Sequence, residues 1–123
     1  MESLQHPQSS VRAYAHRLLR RTVSRERYLE ATIVLLEDRV PEFRKTAIRV
    51  LSFGKYQPAI RKIIPLLHDH KKHVDRTARE GLIHFGQAAV STLRQALSRT
   101  RPDRRAELEQ VIQAIESGSS SDR

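Results

Sequence analysis

Residues 36–54 read LEDRVPEFRKTAIRVLSFG, and residues 67–86 read LHDHKKHVDRTAREGLIHFG. In each stretch a Leu-x-Asp turn leads into an apolar residue, then an Ala and a Leu at four-residue steps: Phe43, Ala47 and Leu51, then Val74, Ala78 and Leu82. Apolar positions at i, i+4, i+7 and i+8 form one stripe of a helix with a period of 3.6 and do not alternate as a strand does. Working outward, Val11, Arg12, Ala15, Leu18 and Leu19 precede Phe43, Arg44, Ala47, Val50 and Leu51 by 32 positions, and Asp75 takes the Arg position of the third block. A fixed period of this length is the signature of stacked supersecondary units.

A second apolar row follows each first one: Tyr28, Leu29, Ile33, Leu35 and Leu36; Ile60, Ile63, Ile64, Leu66 and Leu67; Val90, Leu93 and Leu97. Each unit therefore reads as a helical hairpin. The expected helices are 9–22, 25–37, 41–54, 57–69, 72–86, 88–99 and 102–117. Pro41 and Pro102 stand where a helix begins, a position that needs no amide donor. Gly54 and Gly86 follow Phe53 and Phe85, where a glycine supplies a left-handed helix end. Pro65 frees the carbonyl of Arg61 and predicts a kink or a late start in the fourth helix. The sequence thus predicts an all-α, right-handed α-solenoid of about three hairpins plus a terminal helix. Its domain spans residues 1–116, and a serine-rich disordered tail spans 117–123.

The chain has 123 residues, 38% hydrophobic and 30% charged, which suits a soluble globular domain. No apolar run approaches the ~20 residues that span a bilayer, and the opening MESLQHPQ lacks the pattern of a signal peptide, so no membrane insertion and a cytoplasmic location are the expectations. Cysteine is absent, which excludes thiolate catalysis, disulfide staples and Cys-based zinc sites. A formal charge of +9 attracts acidic surfaces or polyanions.

The Leu-x-Asp turns at Asp38 and Asp69, followed by Phe43-Arg44 or Val74 and by Ala and Leu at fixed offsets, resemble the HEAT-repeat consensus and its bilin-lyase-like bacterial branch. The register extends back through Leu4 and His6-Pro7 and forward through Leu97, Arg99, Arg105, Leu108 and Ile112. It departs from the consensus at His6 and Arg99 in turn-Asp positions, at Asp75, and at Arg104. The resemblance implies a non-catalytic, protein-binding scaffold. It assigns Arg12, Asp38, Arg44 and Asp69 to structure, as a ladder in which each turn Asp accepts backbone amides and pairs with an Arg. It also places first helices on a convex face and second helices on a concave one.

The basic residues fall mostly on the first helices: Arg17, Arg20 and Arg21; Lys45 and Arg49; Arg76 and Arg79. They form a candidate binding stripe. A sparser second set lies on the other helices: Arg25, Arg27, Arg61, Lys62 and Arg94. An acidic protein surface is the expected partner. Phosphate backbones are the alternative, although aromatic residues for base stacking are scarce. His68, Asp69, His70 and His73 are metal-capable side chains at a turn, but their spacing is nonspecific, so no metal or cofactor is expected. No nucleophile–base–orienter set is present, and a bilin-lyase-like enzyme subunit stays as an alternative from the resemblance alone. The register starts inside a junction and ends soon after an unpaired helix. This predicts apolar outer edges, hence either a domain of a larger protein or association through the solenoid ends.

Overall fold

A computed structural model describes residues 2–121, with side chains described for 3–118. Seven α-helices follow one another with no strand among the described residues: α1 (Ser9–Thr22), α2 (Arg25–Thr32), α3 (Pro41–Phe53), α4 (Ile60–Ile63), α5 (Val74–Phe85), α6 (Gln87–Leu97) and α7 (Arg105–Ser121). Together they form an all-α solenoid of helical hairpins with a terminal helix. The last helix takes in part of the serine-rich stretch expected to be a tail, and residues 122 and 123 lie outside the described residues.

The local signals account for most boundaries. Pro41 opens α3 and Pro102 opens the 3-10 turn that leads into α7. Ser24 caps α2 through its hydroxyl, which accepts the Arg27 amide at 3.2 Å. The second helices are shorter than the periodicity predicts, because both tighten into 3-10 turns, Ile33–Glu37 after α2 and Ile64–His68 after α4. Pro65 is therefore not the whole cause of the break in α4, since Val34 stands at the equivalent place and the helix tightens there too. The helix α5 starts at Val74 rather than at residue 72 because Lys72 and His73 adopt positive φ.

The two glycines after α3 and α5 behave differently. Gly86 has φ of 69°. Gly54 has φ of −77°, and its neighbour Lys55 takes the positive φ instead. What requires glycine at 54 is space: an added Cβ would stand 2.7 Å from a Leu29 methyl.

The core is one cluster that runs from Leu29 to Ile115. It includes Ala47, Ile48 and Leu51 of α3, Ala78 and Leu82 of α5, and Leu108 and Val111 of α7. The close approach of α3 and α5 is made at Gly81, where an added Cβ would meet Ser52 Oγ at 2.5 Å and Ile48 Cγ2 at 2.8 Å. Ile48 is fully buried and has nowhere to move. Gly81→Ala is therefore expected to destabilise the domain by about 1–3 kcal/mol through overpacking, despite a gain of about 1 kcal/mol in helix propensity. A melting temperature at or above that of the unaltered protein would contradict this account.

The first helix departs from the register. Its apolar stripe matches that of α3 in sequence, yet α1 adds no residue to the core cluster, and the residues it buries are Arg12 and His16. Leu18 is 45% exposed and Tyr14 is 59% exposed. In α5 the equivalent positions, Thr77 and Gly81, are buried, Gly81 in the seam toward α3. The 3-10 turn Glu2–Gln5 and α2 pack against α1, but no first helix approaches it as closely as α3 approaches α5.

Candidate partner-binding surface

The junctions between hairpins are held by a repeated polar device. Arg12 Nε and Nη2 donate to the two carboxylate oxygens of Asp38 at 2.7 and 3.0 Å, while Nη1 donates to the carbonyls of His6 and Pro7. One turn on, Arg44 Nε and Nη2 donate to Asp69 at 2.7 and 3.3 Å, and Nη1 donates to the carbonyl of Asp38 at 2.6 Å. Each Arg thus joins the carboxylate of the following turn to the backbone of the preceding one. Each Asp also accepts a turn amide, Val40 at 2.8 Å and Lys71 at 3.2 Å. The Arg12 guanidinium further lies 5.4 Å from the centre of the Phe43 ring.

The ladder does not continue at the third position. Asp75 accepts the Arg76 amide at 2.8 Å and lies 3.0 Å from His70 Nδ1, and no ion pair joins it to Arg99 among the described residues. Burial raises the Asp75 carboxyl, but the bonds from His70 and the Arg76 amide outweigh it and hold the group below its usual range. A cleft of about 280 Å³ opens here, lined by Leu67, His73, Asp75, Arg76, Arg79, Glu107 and Gln110. Three of the four metal-capable side chains of this turn face different partners, and His73 lines the cleft. Asp69 is engaged by Arg44, His70 by Asp75, and His68 Nε2 lies 3.1 Å from the Arg104 carbonyl.

The structure does not gather the stripe into one row. Arg17 and Arg49 share a register position, but the third residue in that row is Glu80. Lys45 and Arg76 share another, and the Lys45 ammonium is already committed, to the Lys72 carbonyl at 2.8 Å and to Glu42 at 3.2 Å. Arg79 turns into the cleft beside Glu107. Arg17, Arg20, Arg21, Arg49 and Arg76 are exposed and pair with no acid among the described residues. In the second set, Arg94 pairs with Glu116 at 2.5 Å and Lys62 lies 3.9 Å from Glu37, whereas Arg25, Arg27 and Arg61 are exposed without such a partner.

Two features were not read from the sequence. The first is a set of exposed apolar side chains among these arginines: Tyr14 and Leu18 on α1, and Phe53, 67% exposed, whose ring meets His84 edge-on at 4.9 Å. The second is a buried network at the α1–α2 contact. Thr32 Oγ1 donates to the Tyr28 carbonyl at 2.7 Å, so the His16 Nε2–H donates to Thr32 at 2.9 Å, and the imidazole stacks on Tyr28 with centroids 4.8 Å apart. The only sequence signal was a polar residue where α3 carries Ile48.

Burial holds the His16 pKa below its usual value. The unfolded chain then binds the proton more readily than the folded one. The neutral His16 network is fully stabilising above about pH 6.5, and stability falls as the pH drops from there toward the lowered native value. Urea midpoints measured from pH 7.5 to 5 should decline less in His16→Gln than in the unaltered protein. Parallel declines would remove His16 as the cause.

No helix among the described residues is long and apolar enough to cross a membrane. No curated protein and no solved structure gives a significant match to the chain. The family model for HEAT repeats matches residues 29–113, which takes in the whole Arg44–Asp69 rung, Asp38 of the first rung and the run from α3 to α6. The hairpins, the turn aspartates and this match agree, and the chain belongs to the HEAT-repeat family.

Proposed function

We infer that residues 1–116 form a cytoplasmic, non-catalytic interaction module that docks an acidic surface of a protein partner. HEAT repeats generally mediate protein interactions. The observation that carries the reading here is the mixture of exposed groups: unpaired arginines stand among exposed Tyr14, Leu18 and Phe53. Protein interfaces are enriched in arginine and aromatic residues, and a phosphate backbone has no use for the apolar ones. The bilin-lyase-like resemblance rests on the turn pattern alone, and the residues of that pattern are engaged in Arg–Asp rungs that hold backbone.

The test is a titration of duplex and single-stranded oligonucleotides at about 150 mM salt, repeated with Arg17, Arg49 and Arg76 changed together to Ala. Binding weaker than about 100 μM is expected, because nonspecific phosphate binders reach that range at physiological salt. Tight binding that is lost in the triple variant would overturn the protein-binding reading in favour of the phosphate backbone.

A further inference from the structure

The outward edge of α1 is built like an internal seam of the solenoid, but beyond the short 3-10 turn Glu2–Gln5 that packs against α1 no helix among the described residues lies on it. In the α3–α5 seam, Gly81 of α5 faces Ile48 and Ser52 of α3 across a close helix approach, and Thr77 is buried one turn before it. The repeat places Tyr14 and Leu18 of α1 at the positions of Thr77 and Gly81. Beside them a shallow groove of about 130 Å³ is lined by Ser3, Leu4, Ala15, Leu18, Leu19 and Thr22. One helix edge therefore presents a continuous apolar strip at the spacing that receives another helix.

The charge around this strip selects the occupant. Residues 3–25 contain Arg12, Arg17, Arg20, Arg21 and Arg25 and no Asp or Glu. Arg12 is consumed by Asp38, while Arg17, Arg20 and Arg21 stand exposed on α1 with no acidic partner among the described residues. At the other end of the solenoid, α7 carries Glu109 and Gln113 at the register positions of Ile48 and Ser52, so its outward face is polar. A second copy stacked end to end would lay that polar face on the apolar strip. Two copies joined through α1 would bring their arginines together.

We propose that the α1 edge is a docking site for an amphipathic helix of a partner protein, with an apolar stripe set against Tyr14, Leu18 and Leu19 and acidic residues on its flank facing Arg17 and Arg21. This rests on the protein-binding reading and goes beyond it, since it names the face and the form of the partner. The docked helix takes the place that α3 takes against α5. The mode is helix-in-groove recognition with anchors at i, i+4 and i+7.

The experiment uses the whole chain and a fluorescein-labelled helical peptide of about 18 residues, long enough to hold a helix in water. Its stripe is Leu and its flanks are Glu. One twin carries Lys in place of Glu, another Ser in place of Leu. The Glu peptide is expected to bind tighter than about 100 μM and both twins at least about tenfold more weakly. Leu18→Glu and, independently, Tyr14→Ser are expected to weaken the Glu peptide about tenfold or more while melting with the unaltered protein, because both sites are largely exposed. Changing Arg17 and Arg21 together to Ala should weaken it and flatten its salt dependence. Changing Arg49 and Arg76 should leave it unaltered.

Absence of saturable binding by the Glu peptide overturns the proposal, as does equal binding of the Lys twin. Glu-peptide binding that survives Leu18→Glu but is lost with Arg49 and Arg76 moves the site to the other first helices, overturning this inference and leaving the protein-binding reading intact. Tight oligonucleotide binding with no peptide binding overturns both. A peptide-free dimer in light scattering that Leu18→Glu dissociates would make the occupant a second copy, and the proposal would fall.

Discussion

Ala47→Asp is expected to abolish the folded state at 37 °C or lower the melting temperature by roughly 15 °C or more, whereas Ala15→Asp, at the same register position one repeat earlier, should cost under about 1 kcal/mol. Ala47 has no exposed surface and lies in the core cluster between α3 and its neighbours. Its nearby cations are engaged, Arg44 by Asp69 and Lys45 by the Lys72 carbonyl. A carboxylate there has neither water nor a free partner, and burying it costs several kcal/mol against a total stability of about 5–15 kcal/mol. Ala15 is half-buried and lines the shallow groove at the open edge of α1, so a carboxylate there keeps water within reach. Leu51→Ala, also at a site with no exposure, should cost about 2–5 kcal/mol through lost contacts and the cavity left behind. Equal effects at positions 15 and 47 in thermal melts would show that α1 is packed like an internal helix.

That pair of alanines also marks where sequence reading succeeds and stops. Periodicity reports which residues lie on one stripe of a helix, and for α3, α5 and α7 it located Ala47, Ala78 and Leu108, all buried. It does not report what lies opposite the stripe. The α1 stripe therefore read as core, although no first helix packs against it as α3 does against α5. The rungs were legible because an Arg and an Asp recur at fixed offsets. The Asp75 departure was legible too, but its pairing with His70 was not, since a turn with two positive-φ residues sets that contact. Gly54 shows the same limit at one residue. The sequence offers a flexible turn former, and the requirement it meets is the contact with Leu29. The charge stripe failed as a single row because Glu80 and the engaged Lys45 interrupt it, and only the second of these needed coordinates.

Asp38→Ala is expected to cost about 3–5 kcal/mol, the most of any single ion-pair deletion among the described residues, because it leaves a buried guanidinium without its counter-charge. The side chains of Arg12 and Asp38 are only 3% and 4% exposed, against 12% and 16% for Arg44 and Asp69 and 56% and 46% for Arg94 and Glu116. Arginine does not deprotonate to escape a buried site. With Asp38 gone, Arg12 keeps the carbonyls of His6 and Pro7 and the Phe43 face, which hold hydrogen bonds but carry no full negative charge. The Val40 amide at the entry to α3 loses its acceptor at the same time. Water reaches the second rung more easily, so Asp69→Ala should cost less, roughly 1–3 kcal/mol. Glu116→Ala should fall under about 1 kcal/mol, as exposed pairs do. Urea unfolding at pH 7 with unaltered slopes would give this order directly. The cycle that isolates the charge is Asp38→Leu with Arg12→Met. If the penalty of Asp38→Leu is the unpaired cation, the double variant recovers most of it, because no buried charge remains. Additive losses would instead mean that the rung works through packing and the Val40 cap, with the ion pair secondary.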